Sequence, residues 1–191
     1  MITVVGNKLG VSMVSDGTTL FDKEDRLLYG KPREYKEYVV SLNGRMSRDS
    51  FIDTFKRIEN VLEKPTTNSC AFKELESIIK EVVYQKDDAE IFLVFSGFRN
   101  GQGYLFSTSN LPFEETHKLR LTEDTRFLIM SRSDAYKKHV GMFQKMLSEN
   151  QLERFDDIRK TQENFNARLT GLDSTINNKL TSIVVMNTII K

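Results

Sequence analysis

Few side chains in this chain of 191 residues are equipped for chemistry, and their spacing already excludes several kinds of it. Cys70 is the single cysteine, so no intramolecular disulfide can form and a reducing, cytoplasmic setting is expected. It stands between Ser69 and Ala71 at an expected helix start, where a buried, inert thiol is the plain reading. His117 and His139, the two histidines, lie in unrelated contexts without zinc-ligand spacing, so no metal and no other cofactor is expected. What remains is a set of hydroxyls, carboxylates and lysines: Thr3 in the first apolar run, Asp16 at the end of the second, then Lys31, Lys36, Ser131 and Ser133. Each has a bland explanation. Asp16-Gly17 reads as a turn, Lys31 and Lys36 as solvated loop residues, and Ser131 and Ser133 as a helix N-cap ahead of Asp134 in the first turn.

Composition narrows the partners. With 28 basic against 27 acidic residues, interleaved rather than blocked, the chain shows no electrostatic footprint for nucleic acid or an anionic membrane. No apolar stretch approaches membrane-spanning length, and the start shows neither a basic leader nor the apolar core of a signal peptide. The expectation is a soluble, cytoplasmic protein of one domain, residues 1–191.

The elements that must position those side chains follow from hydrophobic period. Residues 2–6 and 11–15 are β-branched and apolar around an Asn7-Lys8-Leu9-Gly10 turn, which predicts a hairpin. Residues 35–42 predict another strand, ended by Asn43-Gly44. From Ser47 the period becomes helical through Phe51, Phe55, Ile58 and Leu62, after a Ser47/Asp49 cap. A second helix follows through Phe72, Leu75, Ile78, Ile79 and Val82, with Pro65 between the two. Strands return at 89–96, at 103–107 after Asn100-Gly101-Gln102, and at 125–130. Beyond Ser131 the helical period resumes through Tyr136, Val140, Phe143 and Leu147, then through Leu152, Phe155, Ile158, Phe165, Leu169, Leu172 and Ile176. The stretch 152–180 spaces its apolar residues like a short coiled-coil seam, but its brevity and Gly171 favour a core helix with a turn near Gly171. Residues 181–190 close the chain as a strand. Without β-α-β alternation, this order predicts an α+β fold, two antiparallel sheets between helix pairs.

That order, with specific residues, resembles the proteasome β-subunit family and its bacterial relative, the peptidase of the ATP-dependent two-ring heat-shock protease. Both have the four-layer αββα N-terminal-nucleophile (Ntn) hydrolase fold. Thr3-Val4-Val5-Gly6, Gly10 and Asp16-Gly17 resemble the family's opening Thr-Thr-x-Val-Gly strand, glycine turn and return to an aspartate. Asn43-Gly44 followed by 48–55 is similar to the family's glycine and Ala-Asp-Ala-Phe helix opening. Phe95-Ser96-Gly97, Asn100-Gly101 and Tyr104-Leu105-Phe106 resemble its hairpin into an aromatic strand, and 128–136 its Ile-Gly-Ser-Gly-Ser segment before a helix containing a tyrosine.

The resemblance implies a threonine-type peptidase site, in which an N-terminal threonine attacks the scissile carbonyl, its α-amine is the general base and a nearby lysine keeps that amine neutral. Here a turn near Lys8 sets Asp16 opposite Met1 or Ile2, so the position resembling the nucleophile holds a side chain with no nucleophilic atom. Met1 is expected to stay, since Ile2 is too large for methionine removal and no propeptide precedes it. Asp16 resembles the lysine-orienting aspartate, Lys31 and Lys36 both qualify as the lysine, and Ser131 and Ser133 resemble the supporting serines, with Arg132 where the family has glycine. The expectation is a proteasome-like subunit or binding module that has lost its nucleophile and works through a homo-oligomer or a protein partner. The alternative is a threonine peptidase activated by exposure of Thr3, whose catalytic set would be Thr3, Asp16 and one of the two lysines.

Overall fold

A computed structural model of the chain describes residues 1–16, 20–21, 26–29, 31–36, 38–64, 67–85, 90–111, 114–130, 134–149, 154–172 and 179–189. The opening hairpin is β1 (Ile2–Asn7) and β2 (Gly10–Asp16), turning at Lys8 and Leu9, with the Asn7 side chain accepting from the Leu9 amide at 2.8 Å. Three short strands follow, β3 (Leu20–Phe21), β4 (Arg26–Tyr29) and β5 (Arg33–Tyr35), and then β6 (Tyr38–Ser47). Helices α1 (Arg48–Glu63) and α2 (Asn68–Gln85) come next. Strands β7 (Glu90–Arg99), β8 (Gln102–Ser109), β9 (His117–Arg120) and β10 (Arg126–Met130) lead to a 3-10 turn, Asp134–His139. Helices α3 (Val140–Glu149) and α4 (Phe155–Thr170) and strand β11 (Leu180–Met186) complete the order.

The strands form two antiparallel sheets, one ordered β10-β1-β2-β11 and one ordered β3-β4-β6-β7-β8-β9, with β5 also on β6. Three apolar layers give the sandwich its order. Between α1, α2 and the larger sheet lie Ile58, Leu75, Ile79, Leu93 and Phe106, all nearly inaccessible. Between the sheets lie Val4, Val11, Met13, Val39, Val94 and Phe98. Between the smaller sheet and α3 and α4 lie Val5, Phe143, Ile158, Phe165 and Leu169. The strand period of two sends Val4 and Met13 to one layer and Val5 to the other, which makes the hairpin the shared wall of two cores. The fold is therefore the four-layer α+β sandwich that the order of elements predicts.

Several local expectations are corrected. β6 does not end at Asn43-Gly44 but continues through both to Ser47, where the Ser47 hydroxyl caps α1 by accepting from the Ser50 amide at 3.2 Å. Gly44 pairs with Ile91 at φ +131°, and a Cβ there would lie 1.9 Å from the Glu90 carbonyl oxygen. The glycine thus permits close approach of β7 rather than a turn. β3, β4, β5 and β9 carry no alternation long enough to read; all four residues of β9 are exposed. The helix expected directly after Ser131 begins as a 3-10 turn and becomes α-helical at Val140. The expected core helix with a turn near Gly171 is, by contrast, present: α4 buries Ile158, Phe165 and Leu169 and stops at Thr170 with Gly171 as its C-cap, and Leu172 is 65% exposed. β11 stops at Met186, short of residue 190. Cys70 is exposed, because the buried stripe of α2 runs through Ala71, Phe72, Leu75, Ile78 and Ile79 and leaves position 70 outside.

Two glycines make a contrasting test. Gly44→Ala should lower the unfolding free energy by about 3 kcal/mol through the forced backbone clash. Gly141→Ala, in α3 with nothing within 4 Å of the new Cβ, should raise it by about 0.5–1 kcal/mol. Urea unfolding at unchanged slope reads both.

Candidate functional site

The hairpin register decides which side chains meet. Ile2 pairs with Ser15 and Thr3 with Val14, so Asp16 stands opposite Met1, and the Asp16 amide donates to the Met1 carbonyl at 3.0 Å. The α-ammonium of Met1 donates to Asp16 Oδ1, forming an ion pair whose two side chains are buried. An Asp at this strand end is held by backbone pairing on one side, while β11 pairs with it through Leu180 on the other. A carboxylate that is only 2% exposed is tolerated because it is charge-paired and hydrogen-bonded.

Thr3 is two residues further into the sheet and fully buried. Its hydroxyl donates to the Val14 carbonyl at 3.4 Å and accepts from Gln162 Nε2 at 3.1 Å. The same Gln162 amide donates to the carbonyls of Thr3, at 2.9 Å, and Ser12, at 3.3 Å. Thr3 thus belongs to the seam between the hairpin and α4, not to the Asp16 pair.

The sequence offered a signal for Gln162 that the expectations passed over. It falls on the same helical stripe as Ile158, Phe165 and Leu169, a polar residue at a core position, and so does Asn166 one turn on. Both are fully buried; Gln162 Oε1 and both amide atoms of Asn166 meet no hydrogen-bond partner among the described residues.

Lys31 is exposed, between β4 and β5. Lys36 is exposed in the turn between β5 and β6 at φ 53°, with its ammonium 5.6 Å from the centre of the Tyr35 ring. Tyr35 in turn donates to Glu63 of α1 at 2.6 Å, which places Lys36 with the α1 side of the larger sheet. Ser131 and Ser133 lie outside the described residues. Among the described residues no cluster of His, Cys, Asp and Glu could hold a metal, and no helix is long and apolar enough to cross a membrane.

As arranged, the side chain opposite Asp16 is a thioether, without a hydroxyl or thiol, and the Met1 ammonium donates to the Asp16 carboxylate. The ion pair and the backbone hydrogen bond together fix Met1 to the end of β2.

Solved structures share this architecture. Anbu (ancestral beta-subunit) from Yersinia bercovieri superposes with a TM-score of 0.66 at 12% identity, covering 98% of this chain and 82% of that one. HslV from Trypanosoma brucei gives 0.64 at 14% identity, covering 97% and 98%. Anbu from the helical assembly of Pseudomonas aeruginosa gives 0.58 at 10% identity, covering 97% and 80%. No protein-family model matches the sequence, and no curated protein does. The chain has the proteasome-like N-terminal-nucleophile hydrolase fold.

Two titrations check the site and its border. Asp16→Ala should destabilise the fold by about 2 kcal/mol, measured by urea unfolding, because it removes the charged hydrogen-bond partner of a part-buried ammonium. The Tyr35 phenol is pushed up to about 12 by its hydrogen bond to Glu63, helped by desolvation and by the charges of Glu63 and Glu59. Glu63→Gln should therefore bring one tyrosine back toward its ordinary value near 10, seen in the ultraviolet absorbance titration.

Proposed function

We propose that this chain is a proteasome-like subunit whose nucleophile position is filled by Met1, and that it acts through assembly or recognition of a protein partner rather than by hydrolysis. The observation that carries the reading is the pairing of Asp16 with the backbone and ammonium of Met1. The residue opposite that aspartate has a thioether where an Ntn hydrolase needs a hydroxyl or thiol. Met1 also packs its side chain against the core formed with α3 and α4, a structural use for the residue. A homo-oligomer fits the likeness to Anbu of Pseudomonas aeruginosa, which forms a helical assembly.

The competing reading, a peptidase exposed at Thr3, has less support. Cleavage before Thr3 would remove Ile2 from its pairs with Ser15 and Met130 and would break the contact of Met1 with Asp16. The new terminus would face Val14 rather than the carboxylate, with its hydroxyl still engaged by Gln162.

Intact mass of the protein expressed from its full reading frame, combined with peptide and ester hydrolysis assays on wild type and Thr3→Ala, separates the two. The expected outcome is a retained Met1 and no turnover in either protein. Loss of Met1 and Ile2, together with hydrolysis that disappears in a folded Thr3→Ala variant, would overturn the noncatalytic reading and make Thr3 the nucleophile.

A further inference from the structure

The smaller sheet ends at β11, and the way β2 distributes its hydrogen bonds fixes which backbone groups of β11 look outward. Because the Asp16 amide donates to Met1, the even-numbered residues of β2 are committed to β1. The odd-numbered Val11, Met13 and Ser15 then face β11, where their partners are Val185, Ile183 and Thr181. Leu180, Ser182, Val184 and Met186 therefore direct their N–H and C=O groups away from β2, and no other strand pairs with that edge among the described residues. Asn187 agrees, donating its amide inward to the Leu9 carbonyl at 2.8 Å.

A bare edge of this kind is normally blunted by charge, proline or brevity. The other edges of the two sheets are blunted in this way: β9 is four exposed residues including Lys118 and Arg120, β10 opens on Arg126, β3 is two residues long, and β5 is three residues long and carries Arg33 and Glu34. β11 spans seven residues, Leu180–Met186, without a charge or a proline.

We infer that the outer edge of β11 pairs antiparallel with β11 of a second copy of this chain, joining two four-stranded sheets into one. A two-fold axis at Ile183 sets Ser182 against Val184 and Leu180 against Met186, and these are the residues whose backbone groups point outward, so the strand is its own complement. The faces favour a second copy over a lone extended peptide. Ile183 packs on the core between the sheets and Val184 on the core under α3 and α4, and both remain partly open at the edge. A second copy brings both layers with it and closes both cores, whereas a single strand would cover only the backbone.

This inference specifies one contact of the homo-oligomer proposed above and rests on that reading. Amide hydrogen exchange by NMR across a dilution series tests it alongside sedimentation. Ser182 and Val184 should exchange at least about tenfold more slowly in the associated protein than in the dilute one, while Ile183 and Val185 stay protected throughout. Ser182→Pro, which removes an outward N–H at an edge, and Met186→Lys, which adds an edge charge at a half-exposed position, should each weaken association about tenfold or more with unchanged circular dichroism. An oligomer in which Ser182 and Val184 exchange freely, or protection of both that does not depend on concentration, would overturn this contact and leave the homo-oligomer standing. A monomer at every concentration would overturn both.

Discussion

Everything in this sandwich is referred to the β1–β2 hairpin, because it is buried on both faces. From Gly10 to Asp16 every residue of β2 is inaccessible, so each side chain must match one of two cores and each backbone group must find a strand. A slip of one residue would exchange the two faces, sending Met13 toward the helices and Thr3 into the space between the sheets. The tight turn at Lys8 and Leu9 fixes that register. The register then decides that Asp16 meets Met1, and the outward-facing residues of β11 follow from the same alternation.

The helix layer above the hairpin is seated by polar contacts as well as apolar ones. Gln162 reaches across to Thr3 and Ser12, specifying where α4 lies along the strands in a way that Ile158 and Phe165 alone would not. The side-chain amide of Asn166 is buried without a hydrogen-bond partner among the described residues, a cost that apolar packing at Phe143, Phe165 and Leu169 must offset. Thr3 is part of this seat. Its hydroxyl is spent on holding a helix, which is a sufficient reason for a threonine at that position.

The likeness to Anbu and HslV and the identity of 12–14% describe the same situation from two directions. A fold of layered sheets is set by apolar pattern and turn position, which many sequences satisfy, whereas a nucleophile site needs particular atoms at particular places. This chain satisfies the first demand throughout. At the end of its opening hairpin it buries an aspartate and sets a methionine opposite it.

By itself the sequence determined the order of the longer elements, the hairpin, both long helices and the antiparallel layering, though not the short β3, β4, β5 and β9, because each longer element depends on local period, caps and turn residues along 2–16, 47–85 and 90–109. It also limited Asp16 to a partner at Met1 or Ile2, since a two-residue turn leaves little freedom of register. Only the tertiary structure chose Met1, because which backbone pair closes depends on how β1 is gripped between β2 and β10. It decided that Gly44 lies inside a strand, for the reason that β7 passes where a side chain would stand. It placed Lys36 over Tyr35 on the α1 side, a matter of which way a turn at φ 53° leaves the sheet. It gave Thr3 to Gln162, a contact between residues 159 apart in the chain that no local pattern encodes. Short-range periodicity records which face of an element is buried; what that face is buried against is settled only when distant segments pack.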